Sequence, residues 1–266
     1  MRLHLWFTTL SIALIICLAG TVAAGDFPHK YGIEFRGGYG LYLNNNDPNN
    51  YVEGFTGTTG YTQKEFTESA GAFSGGFSML YKTHDFFAWH IGMNIMGSDS
   101  ATAVAEQAGS QDQMARVYMQ TVEIFLTANY YWHLAPRFNL QFGAGPSFYL
   151  ASLDREALGG SDAVYGESFY SAHGRTFGFL GNISAEFFLS DAISLKLGGG
   201  YRFALLDRFK YNVEYPDPEQ PFVTIKKGTV AYWADSYDSF GVDFSGAFVE
   251  LGLRIYFEPN VWKDND

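Results

Sequence analysis

The chain has 266 residues, of which 18% are aromatic and 17% charged, and a formal net charge of −11. An acidic balance of this size repels phosphate backbones, which need Lys and Arg to displace counterions, so nucleic acid is excluded as a partner. The aromatic and apolar content excludes disorder, and the length fits one domain.

The first residues read as an export signal. Arg2 supplies a positive start, residues 10–18 an apolar stretch, and Thr21-Val22-Ala23-Ala24-Gly25 small side chains for cleavage. The apolar stretch is too short, and too close to the start, to favour a spanning helix. Residues 1–24 are therefore expected to form a secretory signal peptide. Cleavage after Ala23 or Ala24 removes Cys17, the single cysteine, so no disulfide framework is expected.

Beyond the signal, the chain breaks into runs in which every second residue is apolar. Side chains alternate between the two faces of a strand, and eight strands are predicted, over 31–43, 72–82, 87–96, 116–132, 138–150, 175–189, 193–205 and 244–257. The third puts Phe87, Trp89, Ile91, Met93 and Ile95 on one face, against Ala88, His90, Gly92 and Asn94. The fourth is less clean, with Met119 and Phe125 on its polar face. In the last, Val249, Leu251, Leu253, Ile255 and Phe257 oppose Glu250, Gly252, Arg254 and Tyr256.

The links between these runs are lopsided. Segments 83–86, 133–137 and 190–192 are tight, whereas 44–71, 97–115, 151–174 and 206–243 are long and rich in Gly, Asn, Asp and Ser. Short and long links alternate strictly, so every tight turn lies at one end, as in outer-membrane barrels. Residues 222–233 read either as a hairpin above the membrane or as two further, short spanning strands. Phe86, Phe87 and Trp89 follow one tight turn, and Tyr130, Tyr131 and Trp132 precede the next. Rings at that level suit a lower aromatic girdle; packing in a soluble sandwich is the alternative. Pro146 removes a ladder hydrogen bond and is expected to mark a bulge near the outer rim.

The signal, the eight alternating runs, the lopsided links and a last strand ending in Phe257 resemble the small eight-stranded outer-membrane barrels, the OmpA/OmpX/OmpW-like superfamily. The resemblance implies an all-β, eight-stranded antiparallel up-and-down transmembrane β-barrel over 25–257, with short periplasmic turns and long outer loops. It further implies that Leu251, Leu253, Ile255 and Phe257 form the signal read by the outer-membrane insertion machinery. Residues 258–266 continue past the family's usual end and are expected to be a short periplasmic tail.

With the apolar face turned to lipid, the other face lines a lumen that side chains can fill. That face supplies Glu34, Arg36, Glu123, Glu186, Lys196, Arg202, Glu250 and Arg254, a balanced set as burial of charge requires. Register places Glu186 opposite Lys196, Glu34 level with Arg254, and Arg202 near Glu250. This network reads as a salt-bridged plug, or alternatively as a gated ion path.

Catalysis has one candidate. The barrel-type lipid A deacylases pair His and Ser two residues apart at the outer rim. Ser171-Ala172-His173 has that separation in reverse order, with Glu167 or Asp162 to orient the imidazole. The family's His-x-Ser order is absent, and no catalytic residue is assigned. Among the other histidines, His84 and His133 fall at tight turns, His90 points inward and His29 is near the mature start. No pair has metal-site spacing with a third ligand, so neither metal nor cofactor is expected.

The long loops carry acids such as Asp47, Glu53, Glu65, Asp154, Asp162 and Asp235, and aromatics such as Tyr51, Phe55, Phe66, Tyr232 and Trp233. The resulting expectation is a non-enzymatic integral outer-membrane barrel of a Gram-negative-type bacterium, with a largely plugged lumen and acidic surface loops. Its role would be envelope structure, adhesion or surface interaction. Expected partners are outer-membrane lipid and lipopolysaccharide, the insertion machinery, and an extracellular ligand at the loops. The alternatives are a narrow conduit for ions or small apolar solutes, a lipid A-modifying hydrolase, and a secreted soluble ligand-binding barrel.

Overall fold

Alternating β-branched and aromatic residues favour extended backbone, and most of the described residues are strand. The computed structural model describes residues 31–42, 48–50, 52–53, 62–84, 86–98, 100–106, 113–135, 137–158, 168–190, 192–212, 214–216, 224–231 and 239–257. The expected signal segment and tail lie outside the described residues, as do Cys17, His29, Asp47, Tyr51, Phe55, Asp162, Glu167, Tyr232, Trp233 and Asp235.

Eight strands close into a ring. They are β1 (Tyr31–Leu41), β2 (Gly71–His84), β3 (Phe87–Ser98), β4 (Gln113–Ala135), β5 (Phe138–Leu158), β6 (Ser168–Phe188), β7 (Ile193–Phe203) and β8 (Gly246–Phe257). Each pairs antiparallel with its neighbours in sequence, and β1 pairs with β8 from Tyr31↔Phe257 to Gly40↔Phe248. Closure satisfies the backbone groups that an open sheet would leave at its edges. Ladder bonds at the tight ends, such as Leu189 N–H to the Ile193 carbonyl at 2.9 Å, complete the lower rim.

The predicted strands fall in these places, but β5 and β6 run eight and seven residues further at their upper ends, and β4 three residues further at each end. β4, β5 and β6 have 23, 21 and 21 residues, about twice the 9–11 that cross a membrane. The reason lies in polarity. In the lower storey the outward residues are apolar, for example Phe138, Leu140, Phe142, Phe148 and Leu150 of β5, while Asn139, Gln141 and Ser147 face inward and are buried. Above Tyr149 the inward residues become Ala151, Leu153 and a buried Arg155 that donates to the Tyr211 hydroxyl at 3.0 Å, and the outward ones Ser152, Asp154 and Glu156. The same exchange occurs on β4, where Ala115, Val117 and Met119 are buried and Arg116 and Tyr118 exposed. In β5 this exchange reads, in sequence, as a strand that stops, whereas the predicted fourth strand runs through it.

The upper storey has its own apolar core. Val117, Met119, Leu153 and Tyr149 from the wall meet Leu206, Phe209, Phe240, Val242 and Phe244 from the 206–243 segment. That segment replaces the wall where β7 and β8 end. Leu205–Leu206 pairs with Val242–Asp243, Lys210–Tyr211 pairs with β6, and Val230 bridges to Lys210. Because β7 pairs directly with β8 over Ile193–Ile255 to Arg202–Gly246, the segment adds no spanning strand; the two-strand alternative is corrected. Two more predicted loops contain strands: Ala101–Glu106 adds to β4, and Thr62–Thr67 adds to that in turn. Pro146 makes no bulge. The β4–β5 register is the same on both sides, Phe125↔Ser147 and Ala128↔Ala144, and only the intervening pairs are missing. Proline there removes a donor without inserting a residue.

Candidate functional site

The lower lumen is the most chemically loaded part of the molecule, built entirely from inward strand positions. Glu34 enters from β1, Glu186 from β6, Lys196 from β7, and Glu250 and Arg254 from β8. Arg254 is fully buried and is the hub. Its Nε donates to Glu34 Oε2 at 3.0 Å, its Nη1 to Glu186 Oε1 at 2.9 Å, and its Nη2 to Gln141 Oε1 at 3.0 Å. Nη1 also reaches the Tyr131 and Tyr256 hydroxyls, each at 3.2 Å. Lys196 Nζ lies 2.8 Å from Glu34 and 2.7 Å from Glu250. Arg36 stands 3.5 Å from Glu250, donates to Asn94 Oδ1 at 2.9 Å, and lays its guanidinium over the Phe125 ring at 4.2 Å. Three carboxylates and three cations are thus interlocked, which offsets the heavy desolvation cost of each.

Glu123 joins through neutral donors. Asn94 Nδ2 donates to it at 2.7 Å and the Tyr149 hydroxyl at 2.5 Å. Glu186 likewise accepts from Ser194 Oγ and Tyr256 OH, each at 2.6 Å. At the lower mouth the Lys82 ammonium lies 5.0 and 5.1 Å from the Tyr131 and Tyr256 ring centres. His90 bonds the Tyr131 hydroxyl at 2.9 Å.

Register and ionic partnership come apart here. Glu186 and Lys196 are cross-strand partners, as are Glu34 and Arg254. Yet the Lys196 ammonium crosses to Glu34 and Glu250, and Glu186 takes Arg254 instead. In so narrow a barrel, long side chains from strands that are not neighbours meet on the axis. The expected closeness of Arg202 and Glu250 is corrected. Arg202 is level with Gly246 and Glu250 with Gly198, four residues apart along the strand. Arg202 instead stacks over Phe248 at 4.9 Å and donates to Met96 Sδ, just below the upper core. The expected list omitted Tyr131, Tyr256, Gln141, Asn94 and Lys82. All five share the inward phase of their strands, so their parity was the signal available.

The four residues expected to form the insertion signal, Leu251, Leu253, Ile255 and Phe257, all point outward and are exposed. Trp89, Tyr130 and Trp132 are exposed beside the tight turns, at the level proposed for a girdle, whereas Tyr131 is buried inside.

At the opposite rim, Asn212 stands between the two residues of the catalytic candidate. Asn212 Nδ2 donates to Ser171 Oγ at 2.8 Å, and its Oδ1 pairs with His173 Nδ1. The amide therefore occupies the space where a base would have to meet its nucleophile. His173→Ala is accordingly expected to leave the acylation pattern of lipid A unchanged, read by mass spectrometry of extracted lipid; an altered pattern would restore the hydrolase reading.

No protein-family model matches the chain, and no curated protein matches it in sequence. Among solved structures it is similar to neisserial surface protein A, with 13% identity and a TM-score of 0.41 over 86% of this chain and 97% of that one. It is also similar to the outer membrane protein OprG from Pseudomonas aeruginosa, with 11% identity and a TM-score of 0.47 over 88% and 98% of the two chains.

Proposed function

We propose that this chain is an exported, non-enzymatic integral barrel of the outer membrane of a Gram-negative-type bacterium, whose lumen is closed and whose upper storey meets the outside. The observation that carries this is the exchange of polarity between the two storeys. Below, charged and amide side chains are buried inside while Phe35, Phe142, Ile183, Leu197 and Leu251 are exposed outside. Such a surface is unstable in water, and a contiguous apolar patch of this extent needs a lipid or protein cover. The apolar outward phase covers 138–150 of β5 and 177–187 of β6, close to the 9–11 residues a tilted spanning strand requires. A soluble ligand-binding barrel would have the reverse arrangement, apolar within and polar without.

Two layers argue for closure. The ion network fills the lower lumen, and the apolar core of Phe209, Phe240, Phe244 and Leu153 lies across the upper one. A hydrated ion would have to cross both, which argues against the conduit. The role that remains is structural or interactive, with residues 1–24 as export signal, Leu251, Leu253, Ile255 and Phe257 as the contact for the insertion machinery, and the loops as the surface offered to an extracellular ligand. The refolded chain is expected to show heat-modifiable migration on a detergent gel and no single-channel steps in a planar bilayer. Reproducible steps altered by Arg254→Met would overturn the closed lumen, and migration that heating does not change would overturn the membrane barrel itself.

A further inference from the structure

We propose that the outer rim beside β6 is a binding site for the phosphate groups of a phosphorylated glycolipid in the adjoining outer leaflet. The proposal rests on the membrane reading above and adds to it a place, a chemistry and a set of residues.

The chain is strongly acidic, yet five of its 17 Lys and Arg residues stand on one side of the upper rim: Arg175, Arg208, Lys210, Lys226 and Lys227. Lys210 pairs in register with His173, and Arg175 lies two residues below His173 on the same outward face of β6. Arg208 runs alongside, since a Cβ on Gly174 would lie 3.0 Å from the Arg208 carbonyl oxygen. Lys226 and Lys227 belong to the turn whose Gly228 N–H bonds the Tyr211 carbonyl at 2.9 Å. All five side chains are exposed. Among the described residues none has a carboxylate within 4.0 Å, although Asp154, Asp207 and Glu214 stand at the margins.

The contrast with the neighbouring wall is informative. There Arg116 stands opposite Glu156 in register across the β4–β5 ladder, whereas Lys210 beside β6 stands opposite His173. Beside β6 none of the five cations has a carboxylate within 4.0 Å among the described residues, and an exposed cationic cluster on a low-dielectric wall concentrates anions. What lies beneath specifies which anion. Phe177 is 80% exposed, with Phe203 and Leu205 also exposed near it, and its ring lies 5.0 Å from that of Phe148. Cations directly above such an apolar platform fit a ligand with phosphates at headgroup height and acyl chains descending along the wall. Guanidinium forks suit phosphate oxygens geometrically as well as electrostatically.

The test uses the full chain refolded in detergent micelles, with binding of bis-phosphorylated lipid A read by native mass spectrometry and by titration. Arg175→Gln, Arg208→Gln and Lys210→Gln together are expected to weaken binding about a hundredfold, roughly fivefold per cation at a membrane surface. Arg116→Gln should leave it unchanged, and dephosphorylated lipid A should bind as weakly as the triple variant does to the intact lipid. Equal affinity of the triple variant and the parent would overturn the site. So would equal binding of dephosphorylated lipid, or equal competition by inorganic phosphate, which would mark a free-anion site. Heat-modifiable migration of parent and variant is measured in parallel: a folded parent barrel that fails to bind overturns this proposal alone, and a parent chain that never folds in detergent overturns the membrane reading with it.

Discussion

Arg254→Met is expected to destabilise the barrel by about 3–5 kcal/mol, the range for removing one partner from a buried ion pair. The whole guanidinium is engaged: Glu34 loses bonds of 3.0 and 2.5 Å, Glu186 one of 2.9 Å, and Gln141 one of 3.0 Å. Lys196 still faces Glu34, at 2.8 Å, but no second cation reaches Glu186 within 4.0 Å among the described residues. Urea unfolding of the chain refolded in lipid vesicles measures the loss. Adding Glu186→Gln to Arg254→Met should recover part of it, because the uncompensated buried charge disappears with the carboxylate. A cost below about 1 kcal/mol, in the range of exposed pairs, would mean that water reaches the network, and the closed lumen would have to be abandoned.

Leu197→Arg is the second large expectation, and it concerns the outside of the same wall. Leu197 is 64% exposed, faces outward from the middle of β7, and pairs with Leu251 of β8. An arginine at the midplane of a lipid-facing strand costs about 2–4 kcal/mol, whereas on a water-facing strand it would be neutral. Vesicle-refolded Leu197→Arg should unfold at correspondingly lower urea, and Ser152→Arg, outward on the upper storey, should not. Equal stability of the two variants would mean that no apolar solvent touches the lower wall. The result is independent of the ion network, because Leu197 makes no contribution to the lumen.

How much could be read from the sequence depended on which physical rule was at work. Strict alternation in β3, β6, β7 and β8 made both the strands and their outward faces legible, down to the inward placement of Met119 and Phe125 on the irregular β4. The upper ends of β5 and β6 were not legible as strand, because their buried residues, among them Ala151, Leu153 and Ala172, are small or apolar groups in the phase that is polar below. A period-2 pattern carries faces, and it does not carry which solvent each face meets. The candidate site divided in the same way. Inward parity selected the eight ionic residues, and pairing arithmetic across a short turn placed Glu186 beside Lys196 in register. It could not select their partners.

By itself, the sequence determined the strand count, the alternation of faces, the lopsided turns and the pool of inward charges, because each follows from local periodicity and chain connectivity. Only the tertiary structure decided that Arg254, rather than Lys196, holds Glu186. The same holds for the separation of Arg202 from Glu250, for Asn212 between Ser171 and His173, and for the 206–243 segment completing the upper wall. Those arrangements bring together residues far apart in sequence, at distances set by the curvature of the closed ring. Ring curvature is a property of all eight strands at once, and no single strand contains it.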